Sequence, residues 1–393
     1  MADDTVRISV RVMGEAFIVE AARTPVGRRG GALAHVHPAD LGAHAIRAVV
    51  ERSGVDPGAV DDVILGNVDS IGPQAGCIAR TAWLIAGYPE HVPGTTIDRR
   101  CGSSQQAVHF GAQAVMAGVM DLVVAGGVQS MSQVPMMLAF TAGQPEGFDP
   151  FRSSPGWVDR YGTIDITQYA GAEEIARRWG IGRDECDEFS AESNRRARRA
   201  QAEGRFDLEI APLDGVDRDE GPRDPDLDRM RRLPLLDGCE VLTAGSSSQI
   251  SDASAALIVA SERAVAEHGL RPRARVHHMT VLADDPVVML GATIPATRRA
   301  LERTGLSIDD IDLFENNEAF APVVLAWMKE LGVPHEKVNV NGGAIALGHP
   351  LGATGARLMT SLLHELERTG GRYGLQTMCE RGGMANVTVI ERL

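Results

Sequence analysis

Two cysteines, a histidine and an asparagine carry the chemistry available to this sequence. Cys101 stands in Arg100-Cys101-Gly102-Ser103-Ser104-Gln105-Gln106. An extended run, Gly94 to Asp98, precedes it, and from Ala107 to Met116 small and apolar residues recur at helical spacing. This predicts a thiol near a helix N-terminus, where free N–H groups and the helix dipole favour negative charge and hold a thiol below its free value of about 8.5. A buried structural thiol fits the same stretch equally well. Cys379 closes a second strand-like run, Leu375 to Met378, and is followed by Glu380-Arg381-Gly382-Gly383. His349 lies in the glycine-rich stretch Gly342 to Gly355. That stretch lacks the Lys-Ser/Thr pair of a phosphate loop and the glycine spacing of a dinucleotide fingerprint. His349 therefore reads as a base on a glycine turn at the carboxyl edge of a sheet, although a structural histidine fits the stretch taken alone. Glu315-Asn316-Asn317-Glu318-Ala319-Phe320 also ends a strand, which brings Asn317 to that edge.

Positioning these groups requires strand–turn–helix units, and the chain supplies them. Short apolar runs at Ile18-Val19, Asp62 to Leu65, Thr96-Ile97 and Leu122 to Ala125 alternate with helical stretches such as Leu41 to Arg52, the signature of a largely parallel sheet. The sequence then repeats itself. Ala45-Ile46-Arg47-Ala48-Val49-Val50-Glu51-Arg52-Ser53-Gly54 matches Ala296-Thr297-Arg298-Arg299-Ala300-Leu301-Glu302-Arg303-Thr304-Gly305, and the match continues at constant offset into Val60-Asp61 and Ile311-Asp312. The unit carrying Cys101 corresponds to Val338 to Gly343 and a helix opening near His349, so duplicated halves would present Cys101 and His349 on equivalent turns. Between the halves, from about Pro135 to Val241, the chain is richer in charge and proline, with a solvated helix expected from Arg183 to Glu203. The expected division is 17–134 with 243–276 as a first half, 135–242 as an inserted loop domain, and 277–393 as a second half.

With 393 residues, 44% hydrophobic content and 43 glycines, the chain is expected to be a soluble α/β protein with more than one domain. A formal charge of −14 without a basic run excludes a general nucleic-acid binder. The five cysteines are Cys77, Cys101, Cys186, Cys239 and Cys379. Their odd number and lack of CxxC spacing suggest neither a disulfide framework nor a metal site, and fit reduced thiols in a cytoplasm. No stretch approaches the ~20 apolar residues of a membrane span, and Met1 to Met13 reads as a tail without a leader's apolar centre.

In combination these residues resemble the thiolase family over nearly the whole chain from about Phe17. The resemblance rests on Cys101-Gly102-Ser103-Ser104, Asn317-Glu318-Ala319-Phe320, Gly348-His349-Pro350 and Cys379, in that order. Gly126-Gly127-Val128-Gln129-Ser130-Met131-Ser132 and Thr243-Ala244-Gly245-Ser246-Ser247-Ser248 support it. It implies an αβαβα layered sandwich of two duplicated five-stranded halves with an inserted loop domain, assembled as homodimers or homotetramers. It further implies that Cys101 is the nucleophile toward a 3-ketoacyl-CoA, that His349 takes its proton, and that Cys379 protonates the departing acetyl-CoA carbanion and then deprotonates incoming coenzyme A. His349 with a water on Asn317 would form one oxyanion hole, and the N–H groups of Cys101 and Arg381 the other. Coenzyme A enters as substrate, with no permanently bound cofactor and no metal. Ser248 matches a position touching its pantetheine arm; Ala244, Gly245 and Tyr169 are further substrate-binding candidates, and Arg223 is a candidate for its phosphates.

Two features depart from the family pattern. Arg381 stands where glycine is usual, and an N–H there can serve an oxyanion only if the arginine has negative φ. Gln129 replaces a more usual acidic residue. Gln168-Tyr169-Ala170-Gly171 stands where short-chain biosynthetic thiolases carry a methionine–glycine pair, which favours a degradative 3-ketoacyl-CoA thiolase, including those acting on sterol side-chain esters. The nearest alternative is an acetoacetyl-CoA thiolase running in the condensing direction. A fatty-acid condensing synthase is disfavoured by Cys379, and a non-catalytic CoA-ester-binding subunit rests on Arg381 alone. The resemblance leaves open a β-oxidation partner subunit.

Overall fold

The computed structural model describes residues 14–163 and 166–393, so the expected N-terminal tail, Met1 to Met13, lies outside the described residues. The first half runs β1 (Phe17–Arg23), β2 (Gly27–Arg28), α1 (Pro38–Ser53), β3 (Asp62–Gly66), α2 (Ile78–Ile85), β4 (Gly94–Ile97), α3 (Ser103–Met116) and β5 (Leu122–Ser130). Next come α4 (Leu138–Thr141), α5 (Pro155–Tyr161), α6 (Gln168–Trp179), α7 (Arg183–Ala202) and α8 (Leu227–Arg231), and between α4 and α8 the described residues add no strand to the sheet. The chain returns through β6 (Ser251–Ala260) and α9 (Glu262–Glu267). The second half follows as β7 (Ala274–Ala283), α10 (Thr293–Thr304), β8 (Leu313–Asn316), α11 (Ala321–Leu331), α12 (Ala344–Leu347), α13 (Thr354–Thr369), β9 (Tyr373–Glu380) and β10 (Met384–Arg392). The division expected at 276 and 277 falls within β7.

Among the described residues the strands form one ten-stranded sheet in the order β4-β3-β5-β6-β1-β7-β10-β9-β8, with β2 beside β6. Within the sheet, β1 and β7 join the two halves through the pairs Phe17↔Arg275 and Ile18↔Ala274. Each half has the same internal order, and a single parallel bridge, Phe314↔Val338, stands in the second half where β4 stands in the first. The largely parallel sheet expected from sequence needs correction. β4, β3 and β5 are parallel, as are β8 and β9, but β6, β1, β7 and β10 run antiparallel to their neighbours. β6 is buried at every residue, and a strand covered on both faces shows a continuous apolar run whatever its direction.

Helix boundaries carry the duplication most clearly. α1 ends in Gly54 at φ 69° and α10 in Gly305 at φ 71°, left-handed caps that a residue with a Cβ would adopt only under strain. Their N–H groups return to Val50 and Leu301. α1 and α2 cover the outer face of the first half through Leu41, Ile46, Val49 and Trp83. α10 and α11 cover the second through Ile294, Val324 and Trp327. α3 and α13 lie between the half-sheets, where Val108, Ala112, Met359 and Leu363 pack among Ile18, Val123, Leu257 and Ile390. The result is five layers, with α3 and α13 in the middle. No described helix is long and apolar enough to cross a membrane.

Candidate active site

The two central helices open toward the same place. Arg100, at φ 50°, forces a tight turn after β4. The turn is closed by Asp98, which accepts from the Arg100 N–H at 2.7 Å, and by Ser103, whose hydroxyl bonds the Arg99 N–H (2.9 Å) and the Arg100 carbonyl (2.6 Å). Cys101 therefore sits just ahead of α3, as the sequence predicted. The helix opening near His349 begins at Thr354, after the additional short α12. Ala356 of α13 donates its N–H to Ser104 Oγ of α3 at 2.9 Å, which ties the two N-terminal turns together. Leu351, from the turn after His349, packs with Cys101 and Met378 in one apolar cluster.

His349 is buried and its tautomer follows from its partners. The Thr354 hydroxyl has one proton, which it donates to the Pro350 carbonyl at 2.8 Å. Its contact with His349 Nδ1 at 2.7 Å must then be an acceptance from Nδ1–H, leaving a lone pair on Nε2. Asn317 Nδ2 lies 3.5 Å from that Nε2 and 3.7 Å from Cys379 Sγ. Asn317 Oδ1 is buried without a partner among the described residues. Glu318 anchors this loop: its carboxylate accepts from Ser193 Oγ (2.7 Å), Asn339 Nδ2 (2.9 Å) and the Ile345 N–H (3.1 Å).

The titration behaviour corrects one expectation. Cys101 does lie at a helix N-terminus, yet its thiol is pushed up, first by burial and then by neighbouring Cys379 and Glu380. A helix dipole contributes about 1 kcal/mol, less than the desolvation of a buried anion, so burial wins. Burial likewise pushes Cys379 up to about 12 and His349 down to about 3, Arg357 adding to the latter. Both thiols are protonated and the imidazole is neutral at pH 7. Alkylation of Cys101 in the free protein, followed on its peptide, should therefore keep rising roughly tenfold per pH unit through about pH 9. A plateau near pH 7 would mean that the helix terminus holds a thiolate.

Arg381 is absent from the residues with positive φ; Gly382 (φ 92°) and Gly383 (φ 77°) make the turn instead. Its N–H has no acceptor among the described residues and remains available to an oxyanion. Gln129 is placed to do what a carboxylate could not. Its Oε1 accepts from the Val68 and Gly352 N–H groups (3.0 and 3.1 Å) while its Nε2 donates to the Val68 carbonyl at 2.8 Å. Two further residues were not signalled by the sequence. Thr354 sets the tautomer, and Glu380 buries a carboxyl with neither oxygen partnered among the described residues. Glu380 lies so close to Gly102 that a Cβ there would overlap its carboxyl, and burial raises it well above the ordinary carboxylate range. Glu380 thus sets a buried carboxyl beside both cysteine turns.

Of the expected substrate contacts, Arg223, Ala244 and Gly245 line one cavity of about 230 Å³ with Asn194 and Arg229. Ser248 bonds the Ala319 carbonyl at 3.0 Å, next to the Asn317 loop. Tyr169 packs edge-on against Phe320 at 5.6 Å, and its neighbour Gln168 is the α6 residue that reaches the small cavity of about 20 Å³ at Cys101. A cavity of about 670 Å³ walled by Phe140, Phe151, Trp157 and Met289 shares Arg100, Met137, Phe140 and Arg381 with that small cavity.

Residues 16–263 match a family model described as the thiolase N-terminal domain, and residues 270–392 one described as the thiolase C-terminal domain. A steroid 3-ketoacyl-CoA thiolase of Mycobacterium tuberculosis is 59% identical over 97% of this chain and 95% of its own. A β-ketoadipyl-CoA thiolase of Pseudomonas aeruginosa is 43% identical over 96% and 99%. Among solved structures, the human mitochondrial 3-ketoacyl-CoA thiolase in complex with CoA has a TM-score of 0.88 at 35% identity, covering 97% of this chain and 99% of its own.

Proposed function

The chain belongs to the thiolase family as a degradative 3-ketoacyl-CoA thiolase, and from that premise we propose how its residues divide the chemistry. The observation carrying the assignment is the placement of Asn317 Nδ2 against both His349 Nε2 and Cys379 Sγ, with Cys379 close enough to Cys101 to raise its thiol. Cys101 gives its proton to His349 Nε2 as the sulfur attacks the keto carbon. With both groups neutral at rest, the transfer accompanies attack rather than preceding it. The alkoxide formed is held by the N–H groups of Cys101 and Arg381. Its collapse breaks the carbon–carbon bond and leaves the acyl group on Cys101. The departing enolate oxygen faces protonated His349 and a water on Asn317, and its carbon takes the proton of Cys379. A thiol pushed up by burial stays protonated at neutral pH, as a proton donor must. The Cys379 thiolate then takes the proton of coenzyme A, whose sulfur attacks the acyl thioester; Cys101 leaves and recovers its proton from His349.

Arg223, Ala244 and Gly245, with Ser248 and Tyr169 nearer the reacting centre, are the proposed contacts of the CoA arm. The acyl group is proposed to be bulky and sterol-derived, supported by the cavity of about 670 Å³ adjoining Cys101, far larger than an acetoacetyl group needs. The insertion 135–242 supplies its aromatic wall and acts as the loop domain between two halves, 17–134 with 243–276 and 277–393. Action in the cytoplasm fits five free thiols. Assembly as a homodimer or homotetramer is supported by β4, which pairs with β3 and leaves its other edge open for a second copy. Thiolysis of acetoacetyl-CoA, a medium-chain 3-ketoacyl-CoA and a sterol-type 3-ketoacyl-CoA should show kcat/KM rising about tenfold or more from the first to the last. Equal or falling values would remove the bulky-acyl assignment.

A further inference from the structure

Arg357, on α13, is 1% exposed, and none of its three guanidinium nitrogens meets a hydrogen-bond acceptor among the described residues. Arg23, buried as deeply, is fully held: Glu209 accepts from its Nε at 2.7 Å, and Asp219 from Nη1 and Nη2 at 2.6 and 3.0 Å. An arginine keeps its proton even when buried, so Arg357 places a charge with no direct ion pair between the two half-sheets.

The place of that charge follows from register. Residues three apart share a helix face, and Arg357 follows Thr354 by three on α13. Thr354 Oγ1 accepts from His349 Nδ1 at 2.7 Å, so the guanidinium stands one helical turn beyond the imidazole's partner. The facing strand is oriented by its own packing. Leu313 of β8 packs with Met359, Leu362 and Leu366 of α13, whereas Phe314 turns to the outer cluster and meets the Trp327 ring at 5.5 Å. Glu315, two residues after Leu313, therefore faces α13 as well, buried and with Oε2 unpartnered among the described residues. Asn317, two further on, reaches His349 Nε2. Both members of one oxyanion hole thus lie one step along their elements from Arg357 and Glu315. Burial pushes Glu315 up against the pull of Arg357, and the nearby carboxylates Glu318, Glu209 and Glu365 add to that, so Glu315 is a weak counter-ion. Burial, and then the charge of Arg357, opposes a proton on His349. An imidazolium formed beside a second cation is a stronger acid, and so a stronger hydrogen-bond donor to an anion.

We propose that Arg357 is a positioning residue of carbon–carbon cleavage, acting through His349: its charge adds positive potential to the His349–Asn317 hole as the departing enolate oxygen gathers negative charge there. This rests on the thiolysis reading above. Transfer of an acyl group from a simple acyl-CoA onto Cys101 forms no enolate and uses the hole of the Cys101 and Arg381 N–H groups, so it gains nothing from Arg357. His349, freed of the cation, would be the better base for that transfer.

The test measures both steps in single turnovers, cleavage of a medium-chain 3-ketoacyl-CoA and transfer from the simple acyl-CoA of the same length, together with steady-state kcat and KM. The proteins are the wild type, Arg357→Lys, Arg357→Met, and Arg357→Met combined with Glu315→Gln, which leaves no buried carboxylate unpaired. Arg357→Met and the double variant should slow cleavage roughly 10- to 100-fold, the effect of one unit charge acting through protein beyond contact distance. KM should stay within about twofold and acyl transfer within about threefold of wild type, or rise; Arg357→Lys should recover most of the cleavage rate. Equal losses in both steps overturn the proposal, because the guanidinium would then serve packing alone. So does a double variant that cleaves within about threefold of wild type, or a loss carried by KM. If Arg357→Met does not fold, the double variant and Arg357→Lys give the same comparison. A wild type that performs no thiolysis fails the thiolysis reading itself rather than the role of Arg357.

Discussion

Serine at position 101 should lower the turnover number for thiolysis on the order of 10⁴-fold or more, with the affinity for coenzyme A changed by no more than about twofold. The size follows from what surrounds the sulfur. His349 is a weak base, its imidazole held neutral down to about pH 3 by burial, and it can accept a proton only as the nucleophile bonds to carbon. A serine hydroxyl is a poorer nucleophile and a weaker acid than a thiol, so the same base cannot compensate. Binding is spared because the expected contacts of the CoA arm lie in the cavity of Arg223, Ala244 and Gly245, and the substitution keeps the volume of a residue that is 3% exposed. Steady-state thiolysis alongside calorimetry of CoA binding reads both quantities. A variant retaining about a hundredth of wild-type turnover would move the nucleophile elsewhere.

The second large effect separates the two half-reactions. Cys379→Ala should reduce thiolysis of a 3-ketoacyl-CoA by about 10³-fold, within the usual range for a positioned acid–base group, while transfer of an acyl group from a simple acyl-CoA onto Cys101 falls by less than about tenfold. A carbanion is a far stronger base than a thiolate, so carbon–carbon cleavage needs the Cys379 proton much more than the release of coenzyme A does. Single-turnover measurements of both steps on one preparation make the comparison. Equal losses in the two would assign Cys379 to the shape of the pocket rather than to proton transfer.

How much of this was legible in the sequence depends on whether the cause was local. The match of Ala45 to Gly54 with Ala296 to Gly305 could be read because it lies in two short runs of neighbouring residues. The turn before α3 was legible for the same reason, and with it the place of Cys101. The direction of β6 and β1 was not, because full burial erases the alternation that would distinguish a strand's setting. The sign of the Cys101 shift failed similarly: the helix terminus is visible in sequence, but the burial that outweighs it, and the charges of Cys379 and Glu380 that add to it, depend on the fold. Thr354 acts through a contact to His349 five residues away, set by the turn between them, whereas Glu380 acts against Gly102 where the two halves close on each other. Arg381 was visible as an unusual residue, yet its effect on the turn depended on Gly382 and Gly383 taking the positive φ angles.

The central claim is that the acyl group passes through Cys101. It is tested most directly by mixing the protein with a 3-ketoacyl-CoA in the absence of free coenzyme A and mapping the added mass by peptide mass spectrometry. The account predicts one acyl group per chain, on the peptide carrying Cys101, released when coenzyme A is added and absent from Cys101→Ser. An acyl group on Cys379, or none on a preparation that turns over, would contradict it.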